Sequence, residues 1–291
     1  MVEVVTVVAR KLRLGLGSLL GDLPGAARKL AIAGTVIVGV IIAMAVFAPL
    51  IAPYDPTKMV DSPLLPPSAK HLLGTDMLGR DMFSRIVYGG RIVLWVVALA
   101  TALSAAIGIP LGLLSGYHGG KTDRALSMVM DAIYAFPSLI LAIALAAVLG
   151  PSPVNAAIAI SVVYIPTYFR MVRGQVLQIK ATPFIESARA LGIPASRIMT
   201  RHILPHLLPT IMVVFSLSAA DAVLTEAALS FLGLAVRPPT PDWGFDLYAA
   251  KGFIQSAPWL IMGPGVMITL LALGLALIGE GLGEKVRRTI G

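Results

Sequence analysis

Apolar residues along this chain come in long runs, without the two-residue alternation of half-buried strands or the narrow stripes of surface helices. The first run, 30–53, contains no charged residue. A helix needs about 20 apolar residues to cross the hydrocarbon core of a bilayer. Six stretches approach or exceed that length: 30–53, 92–115, 125–149, 154–171, 207–233 and 258–283. Pro110, Pro137 and Pro166 fall inside three of them. Proline is tolerated within spans when neighbouring helices satisfy the freed carbonyl, so each stretch is read as one continuous span. Small residues crowd the second stretch, at Ala98, Ala100, Ala102, Ser104, Ala105 and Ala106, which lets helix backbones approach closely. The expected class is an all-α integral membrane bundle of six transmembrane helices.

The polar segments between the runs set the orientation. With the N-terminus cytoplasmic, the inward segments 1–29, 116–124, 170–206 and 284–291 carry 16 of the 23 Lys and Arg, and the outward segments 54–91 and 234–257 carry 7. Cytoplasmic loops concentrate basic residues, so both termini are expected inside. The first run is longer than the 7–15 or so residues of a signal-peptide core and has no small-x-small exit, which makes it a retained anchor. Ahead of it, Leu12, Leu14, Leu16, Leu19 and Leu20 are set among basic residues, as in a segment lying on the inner membrane surface. The chain divides into an amphipathic cytoplasmic segment (1–29), a first span with its outer loop (30–91), a block of five spans containing the inner loop 173–206 (92–283) and a cytoplasmic tail (284–291).

Composition agrees: 57% of the residues are hydrophobic and 13% charged, with a mean hydropathy of +0.87. Soluble domains have about 25% charged residues. The chain contains no cysteine, which excludes disulfides, thiolate metal sites and cysteine nucleophiles. The net charge of +8 is scattered between apolar runs and forms no basic face interleaved with aromatics, so nucleic acid is not an expected partner.

The inner loop between the fourth and fifth runs carries the most information. Thr182-Pro183 can open a helix as N-cap and first helical residue. A short amphipathic helix through Ala188 and Leu191 should follow, broken by Gly192 and Pro194. A second short helix is expected over Ser196–His202, stopping before Pro205. Two short helices with apolar side chains left over, on the cytoplasmic face, describe a surface that fits a protein partner.

Glu186, Ala188, Gly192, Leu204 and Pro205 stand at the spacing of the E-A-A-x-x-x-G-x9-I-x-L-P loop, with Ser187 in place of the first Ala and His202 where Ile is usual, next to Ile203. In this the stretch resembles the permeases of bacterial and archaeal ATP-driven (ABC) importers. Other segments narrow the resemblance to the second permease of the dipeptide, oligopeptide and nickel importers. They are His71-Leu-Leu-Gly-Thr-Asp76-Met-Leu-Gly-Arg80-Asp81, Phe136-Pro137-Ser138, Glu226-Ala-Ala-Leu-Ser-Phe-Leu-Gly233 and Pro241-Asp-Trp243-Gly244.

The resemblance implies the type I importer permease fold in the cytoplasmic membrane of a bacterium or archaeon. It implies a coupling helix at Glu186, Ser187, Ala188, Leu191 and Gly192, closed by Ile203, Leu204 and Pro205. It further implies a sister permease forming a heterodimer, two ATP-binding subunits holding ATP and Mg, and an extracytoplasmic substrate-binding protein that delivers to the outer loops. This chain would then be a non-catalytic subunit forming half of a path for di- or oligopeptides. Nickel and oligosaccharides are alternative cargoes, and a secondary transporter or channel is the alternative from another class.

Several near-misses are informative. A literal Glu-Ala-Ala at Glu226–Ala228 has its Gly233 seven positions on rather than six, and lies toward the outer end of the fifth run. Ser115-Gly-Tyr-His-Gly-Gly-Lys121-Thr122 almost spells a phosphate-binding loop, but Ser115 stands where Gly is needed and the end of a span precedes it instead of a strand. The four His, at 71, 118, 202 and 206, are expected in loops, and neither G-x-S-x-G nor H-E-x-x-H occurs. Asp55, Asp61, Asp76 and Asp81 are expected to be solvated loop carboxylates or helix caps. Asp131, Asp221 and Glu226 fall within the apolar runs, where a carboxylate at mid-membrane costs about 2.5–3.5 kcal/mol. They should therefore face the bundle interior, pair, or line a translocation path.

Overall fold

The computed structural model describes residues 25–290, and among them every regular element is helical. The helices are α1 (Gly25–Val46), α2 (Met82–His118), α3 (Gly120–Tyr134), α4 (Ser138–Leu149), α5 (Pro153–Ile179), α6 (Pro183–Ala190), α7 (Leu204–Phe231), α8 (Trp243–Ala250) and α9 (Trp259–Ile290), with shorter turns between. The amphipathic segment expected over 1–29 lies outside the described residues, except for its end, which starts α1. The tail expected at 284–291 continues α9 as helix to Ile290.

Helices α1, α2, α5 and α9 are long and apolar enough to cross a membrane, as is α7 together with the turns leading into it. The third expected span is not one continuous helix, and the six expected spans are reached by taking α3 and α4 together. Residues 125–149 form no continuous helix: α3 and α4 meet at Pro137 with a bend of 88°. Proline lacks an N–H and disfavours helical geometry in the residue before it, and Pro137 itself leaves the helix with ψ 124°. Helix α3 also carries Lys121, Asp123, Arg124 and Asp131, so its composition is that of an interfacial helix.

Helix α2 is 37 residues long, about 55 Å at the usual rise, against a hydrocarbon core of about 30 Å. Its first turns therefore project beyond the span, and the outer segment expected to run to residue 91 is helical from Met82. Asp81 caps the start, accepting from the Ser84 backbone N–H at 2.8 Å and from its hydroxyl at 2.7 Å.

The core is set by close backbone contact between α2 and α5. A Cβ added at Gly108 would lie 2.7 Å from the Ile165 carbonyl oxygen, one at Gly112 2.8 Å from that of Phe169, and one at Gly116 2.9 Å from that of Arg173. One helical turn earlier, the Ser104 hydroxyl donates to the Ser161 carbonyl at 2.9 Å. Residues four apart share a helix face, so Ser104, Gly108, Gly112 and Gly116 form one smooth ridge on which α5 lies. Helix α1 docks in the same manner against α9, where a Cβ at Gly34 would meet the Gly274 carbonyl at 2.4 Å.

The outer residues 52–81 and α8 build a cap whose charges are internally matched. Arg80 pairs with Asp76 at 2.6 Å, and Lys58 and Lys70 pair with Asp55 and Asp61. Arg85 Nε donates to Asp246 at 2.9 Å, and Arg91 Nε donates to the Ala45 carbonyl at the end of α1 at 2.6 Å. Lys58, Lys70, Arg80 and Arg85 are thus each matched by a carboxylate within the cap. Of the four carboxylates expected to be solvated or to cap helices, Asp81 caps α2 as expected, whereas Asp76 is buried against Arg80.

Candidate functional site

Three regions carry chemistry: the elbow between α5 and α7, a cavity between helices, and the cap over the start of α2. At the elbow, Thr182 is in extended conformation ahead of Pro183, and α6 follows as expected, although the Thr182 hydroxyl bonds back to the Ile179 carbonyl rather than capping α6. The helix ends in a full Schellman motif. Gly192 has φ +73°, its N–H bonds the Arg189 carbonyl at 2.9 Å, and the Ile193 N–H bonds the Ala188 carbonyl at 3.2 Å. Only a residue free of the Cβ penalty adopts that φ readily, which explains the glycine.

The second short helix is corrected. Ala195–Arg197 is helical, Ile198–Ile203 widens into a π-type turn, and the chain runs on without a stop through Pro205 into α7. Pro205 cannot donate to the carbonyl of Arg201 four residues back, and the wider turn accommodates that loss.

The residues of the expected coupling motif separate into two sets. Ile185, Ala188 and Ile203 are buried, packing with Ile198, Leu207 and Val176 into a small core beneath the elbow, and Leu204 packs against its edge. Glu186, Ser187, Gly192 and Pro205 are exposed, as are Phe184 and Leu191, the latter 80% exposed. Lys180, not singled out by the sequence, ties the elbow to the end of α2: its ammonium donates to the carbonyls of Gly116 at 3.1 Å and Tyr117 at 2.9 Å. A cation is favourable at a helix C-terminus, where carbonyls lack partners. Arg189 stacks over the Tyr117 ring at 5.2 Å, and Arg173 grips Asp123 through two bonds of 2.5 and 2.7 Å.

A cavity of about 580 Å³ opens between the α3–α4 bend, α5 and α7. Of the three carboxylates expected within spans, only Asp221 lines it. Asp131 sits on the polar helix α3 and pairs with Arg170 at 2.7 Å. Glu226 is fully buried behind the cavity wall, accepting from the Ser230 hydroxyl at 2.9 Å and lying within hydrogen-bonding reach of Asp242. The structure does not bring these three together.

The outer cap explains the remaining motifs. His71 is buried with its Nδ1 2.8 Å from Asp81, so the first and last residues of the His71–Asp81 segment clasp each other. Gly74 and Gly79 turn the chain between them with φ of +71° and +69°. Trp243 is fully buried, donates from Nε1 to the Ile86 carbonyl at 2.9 Å, and lies over Gly89 and Gly90. Burial raises the Asp242 carboxyl, and it raises that of Asp246 to about 6 although the Arg85 guanidinium pulls the other way. Of the four histidines expected in loops, only His71 is in one; His118, His202 and His206 are helical. No group of His, Asp and Glu suited to hold a metal occurs among the described residues.

Comparison with known proteins places these features in context. Residues 108–290 match the family described as binding-protein-dependent transport system inner membrane component, and residues 26–67 match the N-terminal TM domain of oligopeptide transport permease C. The chain is 45% identical over 263 residues to the dipeptide transport system permease protein DppC of Alkalihalophilus pseudofirmus, covering 89% of this chain and 85% of that one. It is 39% identical to the di/tripeptide transport system permease protein of Pseudomonas aeruginosa, over 88% and 87% of the two chains. It is 42% identical to the glutathione transport system permease protein GsiD of Escherichia coli, over 88% and 86%. Among solved structures, an inward-facing form of the MetNI methionine ABC transporter aligns with TM-score 0.60 and 21% identity, over 72% of this chain and 98% of that one, a likeness of fold.

Proposed function

Since the chain belongs to the binding-protein-dependent inner membrane component family, the permeases of ABC importers, we propose that it forms half of a path carrying short peptides across a bacterial cytoplasmic membrane. The names of the similar permeases support peptide cargo, and glutathione, itself a tripeptide, belongs to the same chemical class. The family works with ATP-hydrolysing and substrate-binding components. In this reading the partners are a sister permease, two ATP-binding subunits that hold ATP and Mg, and an extracytoplasmic binding protein that docks on the outer cap. Both termini are cytoplasmic.

The observation that carries the docking assignment is the construction of the elbow. Helix α6 buries Ile185 and Ala188 against its own chain while leaving Leu191, Phe184 and Glu186 exposed beyond the helix ends of α2 and α5. A short helix stitched to the bundle on one face, with Phe184, Glu186 and Leu191 presented on the other, can be pushed as a unit. Closure of the ATPases would press on Glu186–Gly192, and the packed core beneath would pass the displacement to α5 and α7, which border the cavity farther along their lengths.

The test is Gly192→Val. Nothing lies within 4 Å of a Cβ at this position, so the variant meets no clash, but a β-branched residue resists φ +73° and unwinds the Schellman turn. Membrane insertion should persist while ATP-dependent uptake of a radiolabelled dipeptide falls at least about tenfold, since uptake requires a seated helix. Undiminished uptake would remove the docking assignment.

A further inference from the structure

Asp221 is the one charged residue among those lining the 580 Å³ cavity. It is exposed to that space on α7, and no cation or side-chain donor among the described residues pairs with it. Arg170, the guanidinium near the cavity's α3 rim, is engaged elsewhere: it bonds Asp131 at 2.7 Å and stacks over the Tyr134 ring at 4.0 Å. The polar groups around Asp221 are neutral. The Thr225 hydroxyl donates to the Asp221 carbonyl at 3.0 Å and meets the Tyr164 hydroxyl at 3.2 Å, and Ser218, Thr167, Ser138 and Tyr134 complete the polar lining.

A lipid-facing wall does not expose an unpaired carboxylate beside hydroxyls, because nothing in hydrocarbon compensates its charge. The structure therefore assigns this wall to the aqueous path and Asp221 to a cation-accepting subsite on it: we propose that Asp221 receives the protonated amino terminus of the peptide in transit. The inference rests on the peptide-import reading and adds to it a named contact within the membrane. The lone carboxylate supplies the charge complement for an alkylammonium. The hydroxyls of Tyr164 and Thr225 supply neutral partners that hold a polar backbone without binding it too tightly to leave.

The chain has no cysteine, which allows a direct test in the assembled transporter in native membranes. Leu224→Cys puts a thiol on the cavity wall one turn from Asp221, and Ser138→Cys puts one on the α4 side. Each is labelled with a cationic and an anionic methanethiosulfonate reagent, with rates normalised to a small thiol in solution. The expected result is a preference of about fivefold or more for the cationic reagent, since a fixed charge in a confined cleft concentrates counter-ions. Asp221→Asn should abolish the preference and Asp221→Glu should retain it. Excess dialanine during ATP turnover should slow labelling when the carboxylate is present. Equal normalised rates, a preference unchanged in Asp221→Asn, or no labelling by either reagent at both positions would each overturn the proposal. Dialanine uptake by the parent transporter, measured in parallel, separates a failure of the subsite from a failure of the peptide-import reading.

Discussion

Arg85 and Asp246 lie 161 positions apart in the chain and are joined by two hydrogen bonds, 2.9 Å from Nε and 2.5 Å from Nη2, with both side chains buried. The same guanidinium donates from Nη1 to the Pro56 carbonyl at 3.0 Å and to that of Pro239 at 3.3 Å. One side chain thus fastens the loop after α1, the loop after α7 and α8 onto the start of α2. Arg85→Ala should destabilise the cap by about 3–5 kcal/mol, because it strands a buried carboxylate. Arg85→Lys should rescue little, since an ammonium cannot reproduce the fork. The double variant Arg85→Met with Asp246→Leu should be milder than Arg85→Ala. Thermal unfolding in detergent checks all three.

Gly112 tests the ridge between α2 and α5. A leucine there would drive into the Phe169 carbonyl and Val172, both 2.8 Å from the position of a Cβ. Overpacking of about 1–3 kcal/mol is expected, with early aggregation on heating followed by size-exclusion chromatography. Gly39→Ala is the matched control: it meets nothing within 4 Å and should be neutral or stabilising by about 0.5–1 kcal/mol.

Lys180→Met removes the ammonium from the carbonyls of Gly116 and Tyr117 while keeping an apolar stem. Folding should lose about 1 kcal/mol. The sharper effect expected is on economy: fewer peptides taken up per ATP hydrolysed, because the elbow can then shift without carrying α2 along. The ratio of uptake to ATP hydrolysis in proteoliposomes measures it, and Lys180→Arg should recover most of the loss.

Asp61 in the outer loop bonds Lys70 and the Ser62 N–H, the latter at 2.7 Å, and Lys70 is the largest influence holding its carboxyl down, at about 2. A depressed acid stabilises the fold above its unfolded pKa, near 4, and that contribution disappears as pH falls toward 2. The protection of amides around 61–71, relative to the intrinsic exchange rate at each pH, should therefore fall between pH 4 and 2. Lys70→Ala should move the onset upward. An onset that does not move in the variant would show that this pair does not hold the loop.

Much of this architecture was readable from residue pattern alone, for reasons specific to each element. Spans such as α1 and α9 declare themselves because lipid demands an unbroken apolar run. Gly192 declares a turn because so few residues tolerate its backbone. The bend at Pro137 was hidden because proline inside spans is common, and because averaging 125–149 conceals that α3 is polar and α4 is not. The ridge Ser104–Gly108–Gly112–Gly116 was present in the letters as small residues four apart, a signal that general smallness obscured. Arg85 and Asp246 could not be paired from sequence, since nothing local links residues so far apart. Glu226 and Asp221, five positions apart on one helix, looked equivalent; which of them faces open space depends on what packs against α7.

The bend between α3 and α4 also bears on how the protein is made. Helix α4 has 12 residues, about 18 Å of helix, too short to bridge the hydrocarbon core unaided. As the chain leaves the ribosome, α1 and α2 can partition into lipid on their own merits, whereas α4 cannot. Its buried residues, Ala142 and Ala146, belong to the core shared with α5 and α7, which are synthesised later. This segment must then wait at the insertion machinery until those helices arrive. The part of the bundle that borders the cavity thus settles only after helices that follow it in the chain.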